Sequence, residues 1–378
     1  MSTDMHAESL PPTFATSAAR HAPPEQVQAA DDVVARLERL PFSRFHLRLA
    51  ALLGVGTFFD AFDSVAIAVA LTVIFTTLHI GFVNAGLLIS AAFVGQFVGA
   101  VGIGYLSELF GRRLTYVIAL GSFGLFSILA AVSWSFESLL VIRLLEGLGL
   151  GAAIPVSASL FNEWIRAGTR GRVFTIFQSA FPWGLFLTPL IGALCLSVFG
   201  SLGWRVLFGL GGIPLIMATY CWFKLPESPR WLCDHGRLEQ GKRLLDMVEA
   251  NYPAGSLAEP QVHYRADVAA TRFGELFSSA YRRRTIVTWT QFFTSYFGTY
   301  SYSIWLPTLY VQVGHLPPAR ALLLSAATSL VTLATAYFFG FTADVIGRKV
   351  LFTAGFAVAS AGALLGFIFI VVMHWGGW

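Results

Sequence analysis

Charge is scarce in this chain. Only 12% of its residues are Asp, Glu, Lys or Arg, about half the share in a soluble protein, while 56% are apolar and the mean hydropathy is +0.67. That excludes an ordinary soluble globule. Cysteine is nearly absent too: Cys195, Cys221 and Cys233 show neither CxxC nor Cys/His ligand spacing, which leaves no disulfide framework and no metal site to expect. No apolar core follows a basic start in about the first forty residues, so a cleaved signal peptide is not expected. This polar, Pro/Ala-rich stretch, with Asp31, Asp32 and Glu38, reads as a solvated tail. A Ser/His/Asp set, a phosphate-binding loop, an HExxH string and a Cys/His cluster are all missing. Their absence argues against an enzyme and against transport driven by ATP hydrolysis within this chain.

What is present is a series of apolar runs of about twenty or more residues, each long enough to cross about 30 Å of hydrocarbon as a helix. They are rich in Leu, Ala, Gly and Phe and do not alternate with period two, which predicts helices and not a barrel. We place about nine crossings, at residues 49–76, 82–106, 114–134, 139–161, 173–199, 204–225, 285–311, 321–341 and 350–373. Basic residues fall in alternate connections: Arg112 and Arg113; Arg166, Arg170 and Arg172; Arg230 through Arg284; Arg348 and Lys349. The intervening connections carry no Lys or Arg, although Arg205 and Arg320 lie at the edges of two of them. The positive-inside rule then makes the amino terminus cytoplasmic. The formal net charge of +4 says little by its size.

One long polar connection, residues 226–284 with Pro253 and Pro260, separates the tail (1–48) and six crossings (49–225) from the remaining three (285–378). In the first half "GYLSELFGRR" runs from Gly104 to Arg113; in the second "GFTADVIGRK" runs from Gly340 to Lys349. Both follow a second crossing and precede a third, and the offset of the shared Gly, 347 − 111 = 236, also carries the first crossing onto the seventh. An internal repeat of one topology is the signature of a transporter built from two bundles.

These residues resemble the major facilitator superfamily, and more narrowly its sugar-porter-like branch. The duplicated loop is similar to that superfamily's loop between crossings two and three, with Glu108 where Asp is usual and Asp344 in the second copy. "RLLEGLGLGAAIPVSASLFNEWIRAGTRGR" from Arg143 resembles the branch's fourth crossing and following loop, and "PESPRWL" from Pro226 its tag after crossing six. The resemblance implies an all-α integral membrane protein of the major facilitator fold, with nine of about twelve expected helices present. The expectation that follows is either part of a full carrier or a shortened protein with another role. The branch's hexose pattern in crossing seven, a Gln pair followed by Leu-Ser-Gly-Ile-Asn, is replaced by "QFFTSYFGTYSYSIW". "FFDAFD" and the crossing-four text look more like the bacterial metabolite:proton symporters, including aromatic-acid and niacin-type carriers.

Four charges inside the apolar runs are the candidates for proton coupling: Asp60, Asp63, Arg143 and Glu146. The two aspartates are three apart and share a helix face. Counted at 1.5 Å per residue they lie roughly 16 and 21 Å from the cytoplasmic boundary, and Arg143 and Glu146 roughly 6 and 10 Å from the external one. All four occupy one slab, where an unpaired charge costs several kcal/mol. Arg143 with a first-crossing Asp is the natural pair, and Glu146 is placed to neutralise Arg143 one turn away. The resemblance assigns such a pair to coupling. The alternatives are that the aspartates cap a helix break and that Arg143 snorkels to the interface.

The 236 offset maps Asp60 onto Tyr296 and Asp63 onto Thr299, so the acids exist in one half only. The first bundle is then expected to handle the proton, while Gln291, Tyr296, Tyr300 and Trp305 of crossing seven, completed by Gln96, Gln178 and Trp183, offer hydrogen bonds and rings to a substrate. Aromatic packing is the other reading. At the cytoplasmic face Gly104, Gly111, Gly340 and Gly347 allow close helix approach. Glu108, Arg112, Arg113, Glu163, Arg170, Glu227, Asp344, Arg348 and Lys349 form a candidate gate of salt bridges, or serve only as topology signals. Pro155, Pro182 and Pro189 are expected to kink their helices. The function expected is proton-coupled uptake of a small organic acid or aromatic-type metabolite across a bacterial inner membrane, with no cofactor beyond the proton gradient. The alternatives are a sugar or polyol porter, and a binding-only sensor or inactive remnant. Partners are the bilayer, a small molecule and protons, with no nucleic acid and with any protein partner undetermined.

Overall fold

The computed structural model describes residues 24–253, 255–260 and 273–368, which form helices and turns and contain no strand. In chain order the helices are α1 (Pro24–Glu38), α2 (Arg44–Thr77), α3 (Phe82–Phe110), α4 (Arg112–Ala131), α5 (Phe136–Trp164), α6 (Arg170–Gln178), α7 (Ala180–Phe199), α8 (Gly203–Leu210), α9 (Ile213–Lys224), α10 (Pro229–Asp234), α11 (Leu238–Glu249), α12 (Arg282–Gln312), α13 (Pro318–Ile346) and α14 (Arg348–Phe367). Among the described residues, six stretches are long and apolar enough to cross a membrane: Arg44–Thr77, Phe82–Phe110, Arg112–Ala131, Phe136–Trp164, Val173–Lys224 and Pro318–Phe339. The fifth holds 52 residues, about 78 Å of helix, enough for two passages. It is divided at Ser179, Gly200 and Gly211. Pro182 lacks the N–H that would bond the Gln178 carbonyl, which is a physical reason for the break between α6 and α7. Helix α12 is long enough but dilutes its apolar residues with Thr, Ser, Tyr and Gln.

The internal repeat is written into the backbone. Gly111 and Gly347 both take positive φ, 104° and 90°, and each precedes the helix that follows, α4 or α14. His79 and His315, also 236 positions apart, are the non-glycine residues with positive φ among those described, at 51° and 50°. Each stands in the short connection before a 29-residue helix, α3 or α13.

The described residues fall into two units: those up to Pro41 with Ser228–Ser295, and Phe42–Glu227 with those from Tyr296 on. In the first unit, the segment expected to be a solvated tail is partly structured. Helix α1 places Val33, Ala35 and Leu37 inside, and α10 and α11 contribute Trp231, Leu232, Leu245 and Val248 to the same small core. Arg36 pairs with Asp246 and Glu249, each at 2.6 Å, Arg39 with Glu249 at 2.8 Å, and Arg230 with Glu38 at 2.6 Å. Burial pushes the Glu249 carboxyl up, but hydrogen bonds from Arg36 and Arg39 outweigh it and hold the group below the usual carboxylate range.

In the second unit, α2 is the most enclosed helix, lined from Leu49 to Ile74 by buried residues. It packs on α5, α7 and α8, and the Tyr116 hydroxyl on α4 accepts from the Gly56 N–H and reaches the Leu53 carbonyl at 3.0 Å. The most extensive helix contact among the described residues is that of α3 with α5. Gly95 and Gly99 on α3 face Leu144, Gly147 and Leu148 on α5, and Gly151 faces the Gln96 backbone. A Cβ at any of Gly95, Gly99, Gly147 or Gly151 would overlap a main-chain carbonyl of the other helix. Two interleaved small-xxx-small pairs thus bring the backbones together without help from lipid-excluded apolar surface. This seam fixes Gln96 on α3 and Arg143 and Glu146 on α5 relative to one another.

Gly151→Leu should force the seam apart and lower the thermal midpoint of the purified protein, by the equivalent of about 1–3 kcal/mol or more. Gly102→Leu, at a position with no atom within 4 Å of a built Cβ, should change it little. For the first unit, a depressed Glu249 pKa means that the ion pairs stabilise the docked helix above the unfolded carboxylate value of about 4.3 and are lost as pH falls through the lower folded value. Glu249→Gln should accordingly speed trypsin cleavage after Arg36 and Arg39 at neutral pH, and an unchanged rate would show that apolar contacts alone hold α1.

Candidate functional site

The four intramembrane charges lie on α2 and α5, and the structure joins three of them directly. Arg143 Nη1 pairs with Asp63 Oδ1, while Nη2 donates to Asp63 Oδ2 at 2.9 Å, a two-pronged geometry. The same Nη1 donates to Glu146 Oε2 at 2.9 Å. The side chains of Asp63 and Arg143 are 2% exposed and that of Glu146 is 0% exposed, so the cluster meets neither water nor lipid. Arg143 is held inside the bundle and not at the interface. The Phe208 ring on α8 covers its guanidinium at 5.7 Å, and Ser127 on α4 fixes that turn of α8 by donating to the Phe208 carbonyl at 2.9 Å. Four helices, α2, α4, α5 and α8, therefore build the surroundings of one arginine.

Asp60 lies one turn from Asp63 and is equally buried. Gln96 Nε2 donates to its Oδ1 at 3.3 Å, and its Oδ2 has no hydrogen-bond partner among the described residues. Beside this carboxyl stand Tyr296 and Tyr300 of α12, with rings from two further helices against Tyr300. Tyr300 on α12 meets Phe93 on α3 edge-on at 5.2 Å, Phe181 on α7 at 6.4 Å, and stacks with Tyr296 at 5.7 Å and an interplanar angle of 17°. Gln96, Tyr296 and Tyr300 thus gather near Asp60.

The other expected substrate residues lie elsewhere. Trp305 packs with the cluster of Ile67, Leu71, Ile74 and Trp204. Trp183 Nε1 donates to the Tyr337 hydroxyl at 3.0 Å, linking α7 to α13. Gln178 closes α6 with its Oε1 buried, and Gln291 on α12 belongs to the other unit. Tyr337, Phe93, Phe181, Ser127 and Phe208 were not singled out by sequence. A lone hydroxyl or ring in an apolar run looks the same whether it packs or works.

The first Gly-Arg motif builds a second network. Arg112 donates to Glu108 at 2.7 Å, to Glu163 at 3.2 Å and to Ser107 Oγ at 2.9 Å, joining α3, α4 and α5. Glu227 accepts the backbone N–H of Arg112 at 3.0 Å and of Arg113 at 3.1 Å, so a carboxylate closes the positive end of α4. Positive φ at Gly111 turns the chain to present those N–H groups. Arg113 bonds the Trp222 carbonyl and lies over the Trp222 ring at 5.7 Å. Arg170 turns to the Ile165 carbonyl at 3.3 Å. In the second copy Gly347 repeats the turn and Lys349 is exposed, while the side chains at Gly340, Asp344 and Arg348 lie outside the described residues. At the opposite end of α4, Arg205 donates to the carbonyls of Ala131 and Ser133 at 2.8 and 2.6 Å. A cation on the carbonyl end of a helix explains why one arginine sits in an otherwise uncharged connection.

Residues 52–376 match the sugar (and other) transporter family. The niacin transporter NiaP of Acinetobacter baylyi is 31% identical over 284 residues, covering 75% of this chain and 64% of its own length. The 4-hydroxybenzoate transporter PcaK of Pseudomonas aeruginosa is 32% identical over 282 residues, covering 74% of this chain and 62% of its own. The chain thus spans less than two thirds of these relatives. Among solved structures, the partially occluded inward-open xylose transporter XylE of E. coli superposes with a TM-score of 0.64 at 20% identity, over 81% of this chain and 75% of that one. This likeness shows a major facilitator fold.

Removing Arg143 should be costlier than removing its whole cluster. Arg143→Met leaves Asp63 and Glu146 buried without a counter-charge and should destabilise the purified protein by about 3–5 kcal/mol. Adding Asp63→Leu and Glu146→Gln should recover most of that loss in the same unfolding measurement.

Proposed function

Because the chain belongs to the sugar (and other) transporter family of the major facilitator superfamily, we propose that it is part or all of a proton-coupled importer of a small organic acid or aromatic metabolite. It works by alternating access across a bacterial inner membrane, with its amino terminus cytoplasmic. On this reading the nine crossings are α2, α3, α4, α5, the pair α6 and α7, the pair α8 and α9, α12, α13 and α14, and the segment containing α10 and α11 is a cytoplasmic linker. The protein is a carrier, not an enzyme, and takes its energy from the proton gradient without a cofactor.

One observation carries the proton claim: two buried carboxyls, Asp63 and Glu146, share one guanidinium, Arg143. Electroneutrality in a low-dielectric interior then calls for a proton on one of these two carboxyls, since an uncompensated buried charge costs several kcal/mol. Arg143 holds both Asp63 and Glu146 through Nη1, so a small rotation transfers its charge between them. The acid it releases becomes the one that takes a proton. Binding and release of that proton are thereby tied to a side-chain movement between α2 and α5. The Trp183–Tyr337 hydrogen bond between first-half α7 and second-half α13 is a contact that rocking of the halves would break. The network around Arg112 joins helices of the first half to one another and keeps that half rigid as it moves.

The substrate class rests on the relatives and on α12. Two relatives carry ring compounds, niacin and 4-hydroxybenzoate, by their names, and α12 offers tyrosines where sugar porters of this branch carry a glutamine pair and asparagine. In vesicles containing the full chain, acid outside should drive accumulation of labelled 4-hydroxybenzoate or niacin, and unlabelled sugars should not compete. Asp63→Asn should abolish accumulation driven by the pH gradient. Equal accumulation by wild type and this variant would exclude Asp63 from coupling, and binding without exchange would replace the carrier with a sensor.

A further inference from the structure

The Asp60 neighbourhood has a feature that proton coupling leaves unused. Asp60 is 2% exposed, and only one of its two carboxyl oxygens is satisfied, by Gln96 Nε2 at 3.3 Å. Oδ2 has no partner among the described residues. Arg143 is taken by Asp63 and Glu146, so the nearest cation is already engaged. Beside this free acceptor the rings of Tyr296 and Tyr300 stack nearly parallel, with Phe93 and Phe181 edge-on to Tyr300 or close to it. A buried acceptor without a donor costs on the order of 1–3 kcal/mol, and more when charged. A ligand that brings a donor removes that cost, and one that lacks a donor does not.

We infer that Asp60, with Gln96, Tyr296 and Tyr300, forms a subsite for an aromatic ring bearing an O–H or N–H donor, the ring lying against the tyrosines and the donor on Asp60 Oδ2. This rests on the proposed uptake of an aromatic metabolite and narrows it. Two features of the geometry give the choice of ligand. Flat stacking on Tyr300 favours a planar ring over a puckered sugar. A buried carboxyl oxygen left without a donor selects the substituent by hydrogen bonding, and sites of that kind reject the analogue without the donor far more strongly than an apolar pocket rejects a missing methylene. The ligand's own carboxylate brings no hydrogen to an acceptor oxygen, so the subsite reads the donor-bearing end of the ring.

Calorimetric titration of the purified full chain with 4-hydroxybenzoate and with benzoate tests this without invoking transport. Wild type should bind the hydroxylated ring about tenfold or more tightly than benzoate. Asp60→Ala should bring the two affinities together while keeping benzoate binding, which also shows that the variant is folded. Tyr300→Leu should weaken both ligands by a similar factor. Equal affinity of wild type for the two ligands, or an undiminished preference in Asp60→Ala, overturns the subsite but leaves an aromatic-acid carrier standing. Absence of binding by either ligand to wild type overturns the aromatic reading and the subsite with it.

Discussion

Everything in the first half of this chain is arranged around the cost of holding charge inside hydrocarbon. Arg143 could not remain at its depth alone, and neither could Asp63 or Glu146. Each acid is stable there because Arg143 is within hydrogen-bonding distance, and the group is buried with the Phe208 ring over the guanidinium. The seam matters as much as the ions. If α3 and α5 stood a side chain further apart, Gln96 would not reach Asp60, and Arg143 would have to bridge a wider gap to α2. Backbone contact at Gly95, Gly99, Gly147 and Gly151 therefore sets the geometry in which a few tenths of an ångström decide whether a buried charge is compensated.

The repeat divides what is architectural from what is specific. Backbone devices recur 236 residues apart: a histidine with positive φ before α3 and α13, and a glycine with positive φ before α4 and α14. The ionisable groups do not recur, since Tyr296 and Thr299 occupy the places of Asp60 and Asp63. A duplicated scaffold has thus kept its turns and let its interior diverge, with charge on one side and rings and hydroxyls on the other. Tyr296 and Tyr300 bring the second half's chemistry back to the first half's carboxyl.

Much of this was legible in the sequence, because the strongest constraints on a membrane chain are one-dimensional. Hydropathy located the runs, the Gly-Arg pairs revealed the duplication, and depth counting put Arg143 and the two aspartates in one slab. Rotation was not legible. Asp60 and Asp63 differ by about 4.5 Å of rise and 300° of turn, and that difference gives one of them Arg143 and the other Gln96. Nor did the sequence separate the glycines of the α3–α5 seam from glycines facing open space such as Gly102, since both are tolerated in membrane helices. The segment before the first crossing was misread for a related reason. Its polar composition hides Val33, Ala35 and Leu37, which are buried against residues made far later.

That last feature orders the protein's own biosynthesis. Arg36 and Glu249 are 213 positions apart, so α1 leaves the ribosome with its apolar stripe uncovered and stays so until α11 is made. At about 5–20 residues per second this interval is roughly 10–40 s, during which the intervening apolar runs must be inserted. When α11 emerges and captures α1, the closing of this small unit records that the chain between them has been threaded an even number of times, since otherwise the two helices would stand on opposite sides of the membrane.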